Sequence, residues 1–199
     1  MAHAMPLGHI RKLWPTDKSA FLDHLLRLDP DSRRKRFAMF ASDEFIERYV
    51  ATCFQTDSII HGYVVDGIVR GVGELRLLDS GNKQAEAAFS VEEAWQGSGI
   101  GSDLMQHTLL TARNRGIEKV FMNCLASNRS MQRMARAAGA ALEFESGEVV
   151  GLVLPPHASP TSYAREVMWD SEGWATAVVD MQKRYFMRRW AGHLNRSSA

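Results

Sequence analysis

The spacing of apolar residues along the first third of the chain predicts one short strand followed by two helices. Residues 8–14 have the pattern of a strand, and a helical spacing of apolar residues runs from Pro15 to about Leu28. Asp29-Pro30 predicts the end of that helix. Ser42 is a typical helix N-cap and opens a second apolar helical pattern. Two helices are therefore expected before the main strands.

The middle of the chain changes to strand patterns. Two β-branched runs between residues 58 and 78 flank Asp66-Gly67, which predicts a hairpin. A further strand, AEAAFSVE, leads into a glycine-rich turn and a helix that ends at Gly116. The remaining expected elements are a strand at 119–125, a helix from about Asn128 to Gly139, and strands at about 140–146 and 148–154.

The C-terminal part of the chain is predicted to be a separate helical segment. Trp174, Val178, Met181 and Tyr185 are spaced for one face of a helix. We therefore expect a domain at 1–158 and a helical extension at 159–199, packed on that domain or on a second copy of the chain. Basic and acidic residues are nearly balanced in the extension, which argues against nucleic-acid binding.

Composition narrows the class of protein. The chain has 199 residues, 45% of them hydrophobic and 24% charged, as in an ordinary globular protein. A net charge of +1 provides no overall field for nucleic acid or an anionic membrane. The N-terminus lacks a signal-peptide pattern, so a cytoplasmic protein is expected. Cys53 and Cys124 lie far apart, and the histidines lack ligand spacing, so no metal site is predicted.

The segment FSVEEAWQGSGIGSDL carries the strongest functional signal. A strand that runs into a glycine-rich turn and then a helix exposes backbone N–H groups at the positive helix end, which favours a phosphate group. Its spacing matches neither the G-x-G-x-x-G fingerprint nor the P-loop. A dinucleotide or nucleoside triphosphate module is therefore disfavoured.

The turn resembles the Q/R-x-x-G-x-G/A motif of the GNAT N-acetyltransferases, and the order of elements over roughly residues 8–154 is similar. The resemblance implies an α/β fold with a mixed, mostly antiparallel sheet of about six or seven strands flanked by helices. It also implies acetyl-CoA as co-substrate, with its pantetheine held by the main chain near Ser90 and Val91. Asn128 would face the co-substrate, cap its helix, or do both. The residues implied to cradle the pyrophosphate are Gln96, Gly97, Ser98, Gly99, Ile100 and Gly101.

The proton-transfer residues differ from the common family pattern. Ala135 occupies the position where many GNAT enzymes have a tyrosine, and its helix resembles that of the bacterial protein-lysine acetyltransferases, which use a glutamate. An amine with a pKa of about 10.4 is mostly protonated at pH 7, so transfer needs a base. Glu86, which the alanine-rich strand is expected to give apolar surroundings, is the first candidate and Glu74 the second. The alternative for Glu86 is a strand-end carboxylate that faces solvent. Cys124 is interpreted as buried and inert.

We expect an acetyl-CoA-dependent N-acetyltransferase that uses direct transfer to a small amine or a protein lysine. The alternative is a non-catalytic acyl-CoA-binding sensor, because Ala135 replaces the tyrosine. The basic run from Arg33 to Arg36 is interpreted as a solvated helix face, rather than as a site for an acidic partner or the 3'-phosphate of CoA.

Overall fold

A computed structural model describes residues 8–54, 58–78, 81, 83–171 and 173. The strands are β1 (His9–Leu13), β2 (Ser58–Val65), β3 (Ile68–Leu77), β4 (Gln84–Val91), β5 (Lys119–Leu125), β6 (Ala141–Glu145) and β7 (Glu148–Val153). The helices are α1 (Lys18–Arg27), α2 (Pro30–Phe37), α3 (Asp43–Cys53), α4 (Ile100–Asn114), α5 (Arg129–Ala137) and α6 (residues 160–171). The α/β fold with an added C-terminal helix is therefore confirmed.

The seven strands form one sheet in the order β1-β2-β3-β4-β5-β7-β6. All neighbouring strands are antiparallel except β4 and β5. Although both of these strands continue further, their pairing is confined to Gln84–Glu86 against Lys119–Phe121. The sheet therefore opens between the C-terminal halves of β4 and β5.

The β2–β3 hairpin forms at the predicted turn. Asp66 and Gly67 have φ angles of 48° and 74°. Positive φ at both central residues is the geometry that matches the twist of a two-residue hairpin, and glycine adopts it without steric cost. The Asp-Gly signal thus places the turn that joins β2 to β3.

Three helices, rather than the expected two, precede β2. The C-cap of α1, Leu28, is extended, and the next residue, Asp29, is the N-cap of α2. The Asp29 carboxylate accepts a hydrogen bond from the Ser32 amide at 2.9 Å, and Pro30 occupies the first helical position. The same Asp-Pro pair therefore ends one helix and begins another, which the sequence pattern did not distinguish.

The sheet separates two hydrophobic clusters. On one face, Leu75, Met105 and Met122 belong to a cluster that joins the sheet to α4 and α5. On the other face, Phe21 and Ile46 belong to a cluster beneath α1 and α3. Strand residues alternate between these faces, so each helical layer meets its own set of side chains.

Helix α6 packs against α4. The Glu166 carboxylate accepts hydrogen bonds from the Asn114 amide at 2.7 Å and from the Arg115 guanidinium at 2.9 Å. The rings of Trp169 and His107 are stacked with centroids 3.9 Å apart. Positions 174, 178, 181 and 185 lie outside the described residues, so the division at 158/159 stays a prediction. Within the described part of the chain, no helix is long and apolar enough to cross a membrane.

Buried His61 on β2 should make stability depend on pH. Burial lowers its pKa to about 3, assisted by the nearby charges of His107, Lys12 and Arg115. The unfolded state, with a pKa near the ordinary value, binds the proton more tightly, so stability falls as the pH drops below about 6.5. We expect His61 to cost about 2 kcal/mol of folding free energy between pH 7 and pH 5.

Denaturant unfolding at the two pH values tests this expectation. His61→Gln should lose less stability on acidification than the wild type, because glutamine does not titrate. His157→Gln is the matched control, since His157 is exposed and should leave the pH dependence unchanged. Equal acid losses for the wild type and His61→Gln would contradict the assignment.

Candidate functional site

The opening between β4 and β5 leads into a cavity of about 490 Å³. Its walls come from α2, the end of β4, the glycine-rich loop with the start of α4, and α5. Ser90 and Val91 line it from the strand, and Asn128 lines it from the start of α5. The end of β4, the glycine loop and Asn128, which the sequence associates with co-substrate binding, therefore all line the same cavity.

The glycine loop gives this cavity an anion-binding end. Gly97 and Gly99 have φ angles of 76° and 93°, in the region that favours glycine. Gly99 is the N-cap of α4, so the Ile100 and Gly101 amides precede the first intrahelical hydrogen bond. These amides and the helix dipole suit a phosphate group.

The close approach of Met134 to the backbone of Gly101 explains why a glycine occupies this position. A Cβ atom at this position would lie 3.0 Å from the Met134 sulfur of α5. A side chain here would therefore fill the gap between α4 and α5, where the cavity lies. The loop provides the backbone and the space that a pyrophosphate requires.

The side chains of the loop support its shape. The Gln96 amide nitrogen donates to the Val91 carbonyl at 2.9 Å and to the Ser32 hydroxyl at 3.0 Å. The Ser98 hydroxyl donates to the Trp95 carbonyl at 2.6 Å, and Ile100 is buried in the core. Gln96 and Ile100 line the cavity, whereas Ser98 is not among its lining residues. A ligand contact from this loop would therefore come mainly from the main chain.

Asn128 is the N-cap of α5. Its side-chain oxygen accepts a hydrogen bond from the Met131 amide at 3.2 Å, as expected for a capping residue. The same residue lines the cavity. Capping leaves its amide nitrogen free to donate elsewhere, so contact with a co-substrate stays a prediction alongside the observed cap.

Glu86 lies where the pairing of β4 with β5 ends. Its carboxylate accepts from the Arg76 guanidinium at 2.7 Å and from the Asn123 amide at 3.2 Å, and its side chain is 27% exposed. The expected apolar surroundings are absent because Ala85 and Ala87, its neighbours in sequence, face the opposite side of the sheet. Glu86 has polar partners and contact with solvent.

Glu86 and Ser90 occupy the same face of β4, four residues apart. The strand rise separates their Cα atoms by about 13 Å. Glu86 is not among the residues that line the cavity. A proton passing from this region to Glu86 would therefore travel through water, or the acceptor would extend towards it.

Glu74, the second candidate base, is held in a buried cluster. Its Oε2 atom accepts from Arg36 at 2.6 Å and from the Tyr49 hydroxyl at 2.5 Å. The Glu74 and Arg36 side chains are 3% and 6% exposed. Burial raises the pKa of Tyr49, so its hydroxyl remains a donor at neutral pH. Glu74 thus serves first as the counter-ion of Arg36.

The solvated-face interpretation of the basic run is wrong for Arg33 and Arg36. The Arg36 side chain is buried and also lines the cavity. Lys35 lines the cavity too, but its side chain is 39% exposed and pairs with Asp31. Arg33 pairs with Asp43 at 2.6 Å and donates to a backbone carbonyl. Helical spacing places Arg33 and Arg36 on the inner side of α2, a helix that the predicted order of elements did not include.

A polar network that the sequence did not indicate surrounds Ser90. The buried ring of His24 on α1 lies 2.9 Å from the Ser90 hydroxyl and 3.4 Å from the Glu92 carboxylate. Glu92 also accepts from Arg27 at 2.9 Å and Arg70 at 2.8 Å. His24 and Ser90 are 66 positions apart, so no local motif could have brought them together.

Two further expectations concern the reactivity of Cys124 and metal binding. Ala135 is buried in the core, and burial raises the pKa of the Cys124 thiol, in keeping with an inert cysteine. Among the residues that the structure describes, no group of three or more His, Cys, Asp or Glu side chains is arranged to hold a metal ion.

Known proteins resemble this chain in sequence and in fold. Residues 20–140 match the model of the acetyltransferase (GNAT) family. Acetyltransferase PA5475 of Pseudomonas aeruginosa is 28% identical over 135 residues, which cover 65% of this chain and 73% of that protein. The residues that line the cavity all lie within the range that the family model matches.

Solved structures share the fold at lower identity. The GNAT domain of PAT from S. lividans superposes with a TM-score of 0.63 at 23% identity, covering 74% of this chain and 90% of that one. The yncA protein of Salmonella typhimurium, solved with its cofactor acetyl-CoA, has a TM-score of 0.57 at 15% identity, covering 77% and 98%. The family match extends over more than half of the sequence, and the chain belongs to the acetyltransferase (GNAT) family.

Proposed function

We propose that this protein is an acetyl-CoA-dependent N-acetyltransferase that transfers the acetyl group directly to a primary amine. The observation that carries the proposal is the opening between β4 and β5, which ends at the glycine loop and the N-terminus of α4. This arrangement suits a co-substrate whose pantetheine arm lies at the end of β4 and whose pyrophosphate, joined to that arm, lies at the glycine loop. The family membership supports acyl transfer as the reaction.

Each part of the site has a role in this proposal. The Gly97–Gly101 backbone binds the pyrophosphate through its amides and the helix dipole. The main chain near Ser90 and Val91 holds the pantetheine arm and donates to the oxyanion that forms at the thioester carbonyl. Asn128 contacts the co-substrate while it caps α5. Acetyl-CoA supplies the activated acetyl group.

Glu86 is the proposed general base. The attacking amine must lose a proton, and Glu86 is a partly exposed carboxylate at the start of the β4–β5 opening. Water conducts the proton to it, since Glu86 does not line the cavity. Ala135 provides no proton for the departing thiolate, so the CoA thiol is protonated from solvent.

Substitution of Gly101 by valine should weaken acetyl-CoA binding. The added methyl groups would meet Met134 and occupy the gap between α4 and α5. Overpacking of this kind costs about 1–3 kcal/mol, so we expect the dissociation constant to rise about 10-fold or more. Titration calorimetry with acetyl-CoA measures the change.

Glu47→Val is the control for this substitution. It adds valine to an exposed position of α3, whose residues do not line the cavity. Unchanged affinity in Gly101→Val, with a melting temperature like that of the wild type, would place the pyrophosphate elsewhere.

The acceptor is a small amine or a protein lysine, and a panel of acceptors tests both. Polyamines, amino acids, aminoglycosides and lysine peptides are each incubated with enzyme and acetyl-CoA, and the products are identified by mass spectrometry. An acetylated amine that requires the enzyme supports the transferase and names its acceptor class. Saturable acetyl-CoA binding without any acetylated product would favour the non-catalytic sensor.

A further inference from the structure

The buried side chains beside the cavity have the connectivity of a serine nucleophile with its base. His24 Nε2 lies 2.9 Å from the Ser90 hydroxyl oxygen, and His24 Nδ1 lies 3.4 Å from Glu92 Oε1. All three residues are buried, and the His24 ring is 0% exposed. Serine, histidine and carboxylate in this order form the nucleophilic triad found on several unrelated folds.

Glu92 determines which histidine nitrogen carries the proton. Burial alone would raise the pKa of Glu92, but hydrogen bonds from His24, Arg70 and Arg27 lower it to about 2. Glu92 is therefore an ionised group that only accepts hydrogen bonds. His24 must donate to it from Nδ1, which leaves the Nε2 lone pair for the Ser90 hydroxyl.

The His24 ring is in the neutral form that a general base requires. Burial lowers its pKa, against the opposing effect of the Glu92 hydrogen bond, so the ring is neutral at pH 7. The positive charges of Arg27 and Arg36 contribute to the same shift. A neutral Nε2 aimed at a serine hydroxyl accepts the proton that the hydroxyl loses on attack.

Ser90 connects this network to the cavity. It lines the space at the end of β4, next to Val91, whereas His24 and Glu92 lie behind it and are not lining residues. In the proposed function the thioester carbonyl lies against the main chain of the same two residues. The Ser90 hydroxyl is therefore the nucleophilic side chain of the triad that can meet the acetyl group.

We propose that Ser90, His24 and Glu92 form a triad that gives the enzyme acetyl-CoA hydrolase activity when no amine acceptor is bound. The inference rests on acetyl-CoA binding in the proposed function. It adds a second activity and a covalent site that direct transfer to an amine does not require.

The reaction proceeds in two balanced steps. Ser90 Oγ bonds to the thioester carbonyl carbon, its proton passes to His24 Nε2, and the carbon–sulfur bond breaks as that proton moves to the CoA sulfur. Water then attacks the acetyl ester, giving one proton to Oγ through His24 and releasing acetate. The sum is acetyl-CoA plus water to CoA plus acetate and a proton, with no redox change.

Intact-mass measurement of the wild-type protein after mixing with acetyl-CoA, without any amine, tests the proposal. We expect a fraction of the chain to gain the mass of one acetyl group, located on Ser90 by peptide mapping. Acceptor-free release of CoA thiol and acetate should fall at least about 100-fold in Ser90→Ala and in His24→Gln. Ser90→Cys should form the adduct again, as a thioester.

Controls separate a chemical role from a structural one. Ser58→Ala removes a serine from β2 of the same sheet and should leave the acceptor-free rate unchanged. Calorimetry measures the acetyl-CoA affinity of Ser90→Ala, so that its acceptor-free rate and that of the wild type are compared at saturating acetyl-CoA. A network that only holds α1 against β4 would change the melting temperature of the variants without any adduct in the wild type.

The outcomes also distinguish this proposal from the proposed function. Acetyl-CoA binding and amine acetylation with no adduct, together with equal acceptor-free rates in the wild type and Ser90→Ala, would overturn the triad alone. Absence of acetyl-CoA binding by calorimetry would overturn both. A mass gain on another residue, unchanged by Ser90→Ala, would also reject Ser90 as the nucleophile.

Discussion

Replacement of Glu86 by glutamine is expected to lower the turnover number for amine acetylation by about 10²- to 10⁴-fold at neutral pH. The amide keeps the size of the side chain, and its carbonyl oxygen can still accept from Arg76 or Asn123, but it cannot take a proton from the amine. Acetyl-CoA affinity should stay unchanged, because Glu86 does not line the cavity. Steady-state kinetics and calorimetry measure the two quantities separately.

Glu118→Gln is the matched control for Glu86→Gln. Glu118 also forms an ion pair, with Lys83 at 2.8 Å, and both side chains are exposed. Loss of such a surface pair should change little. Full turnover in Glu86→Gln would remove Glu86 as the base. If activity rises with pH in the variant until it matches the wild type, deprotonation of the amine is the step that Glu86 assists.

Replacement of Arg36 by leucine is expected to destabilise the fold by about 3–5 kcal/mol. The change would leave the Glu74 carboxylate buried, with the Tyr49 hydroxyl as its remaining observed donor. A buried carboxylate that has lost its ion-pair partner is the costly outcome. Denaturant unfolding without ligand measures the loss.

Two companion variants make the Arg36 prediction specific. Arg34→Leu is the matched control on the same helix, since Arg34 is exposed and its loss should change stability by about 0.5 kcal/mol or less. The double variant Arg36→Leu/Glu74→Leu removes both charges and should recover most of the stability. A double variant no more stable than Arg36→Leu would show that the unpaired carboxylate is not the cause.

Local sequence signals predicted the parts of the site that local backbone geometry determines. Three glycines before a helical pattern specified the turn at Gly97–Gly101, because positive φ and close approach both require glycine. The place of Asn128 before a helical pattern made an N-cap one of its two expected roles, and the cap is observed. The Asp66-Gly67 hairpin followed from the same kind of rule.

Contacts between residues distant in sequence could not be predicted. Arg36 looked like one member of a solvated basic run, because its counter-ion Glu74 is 38 positions away. The sequence shows His24 only as one of seven histidines without ligand spacing, yet the fold brings it to Ser90. Period-2 alternation on β4 also separates Glu86 from the alanines beside it, which explains why its surroundings are polar rather than apolar.

The rate of free-thiol release from acetyl-CoA, followed as the concentration of an amine acceptor is raised, tests transfer to amines most directly. We expect a low acceptor-free rate and a saturable increase with an amine, accompanied by an equal amount of acetylated product. A rate that no amine increases, in a protein that binds acetyl-CoA by calorimetry, would contradict the N-acetyltransferase function.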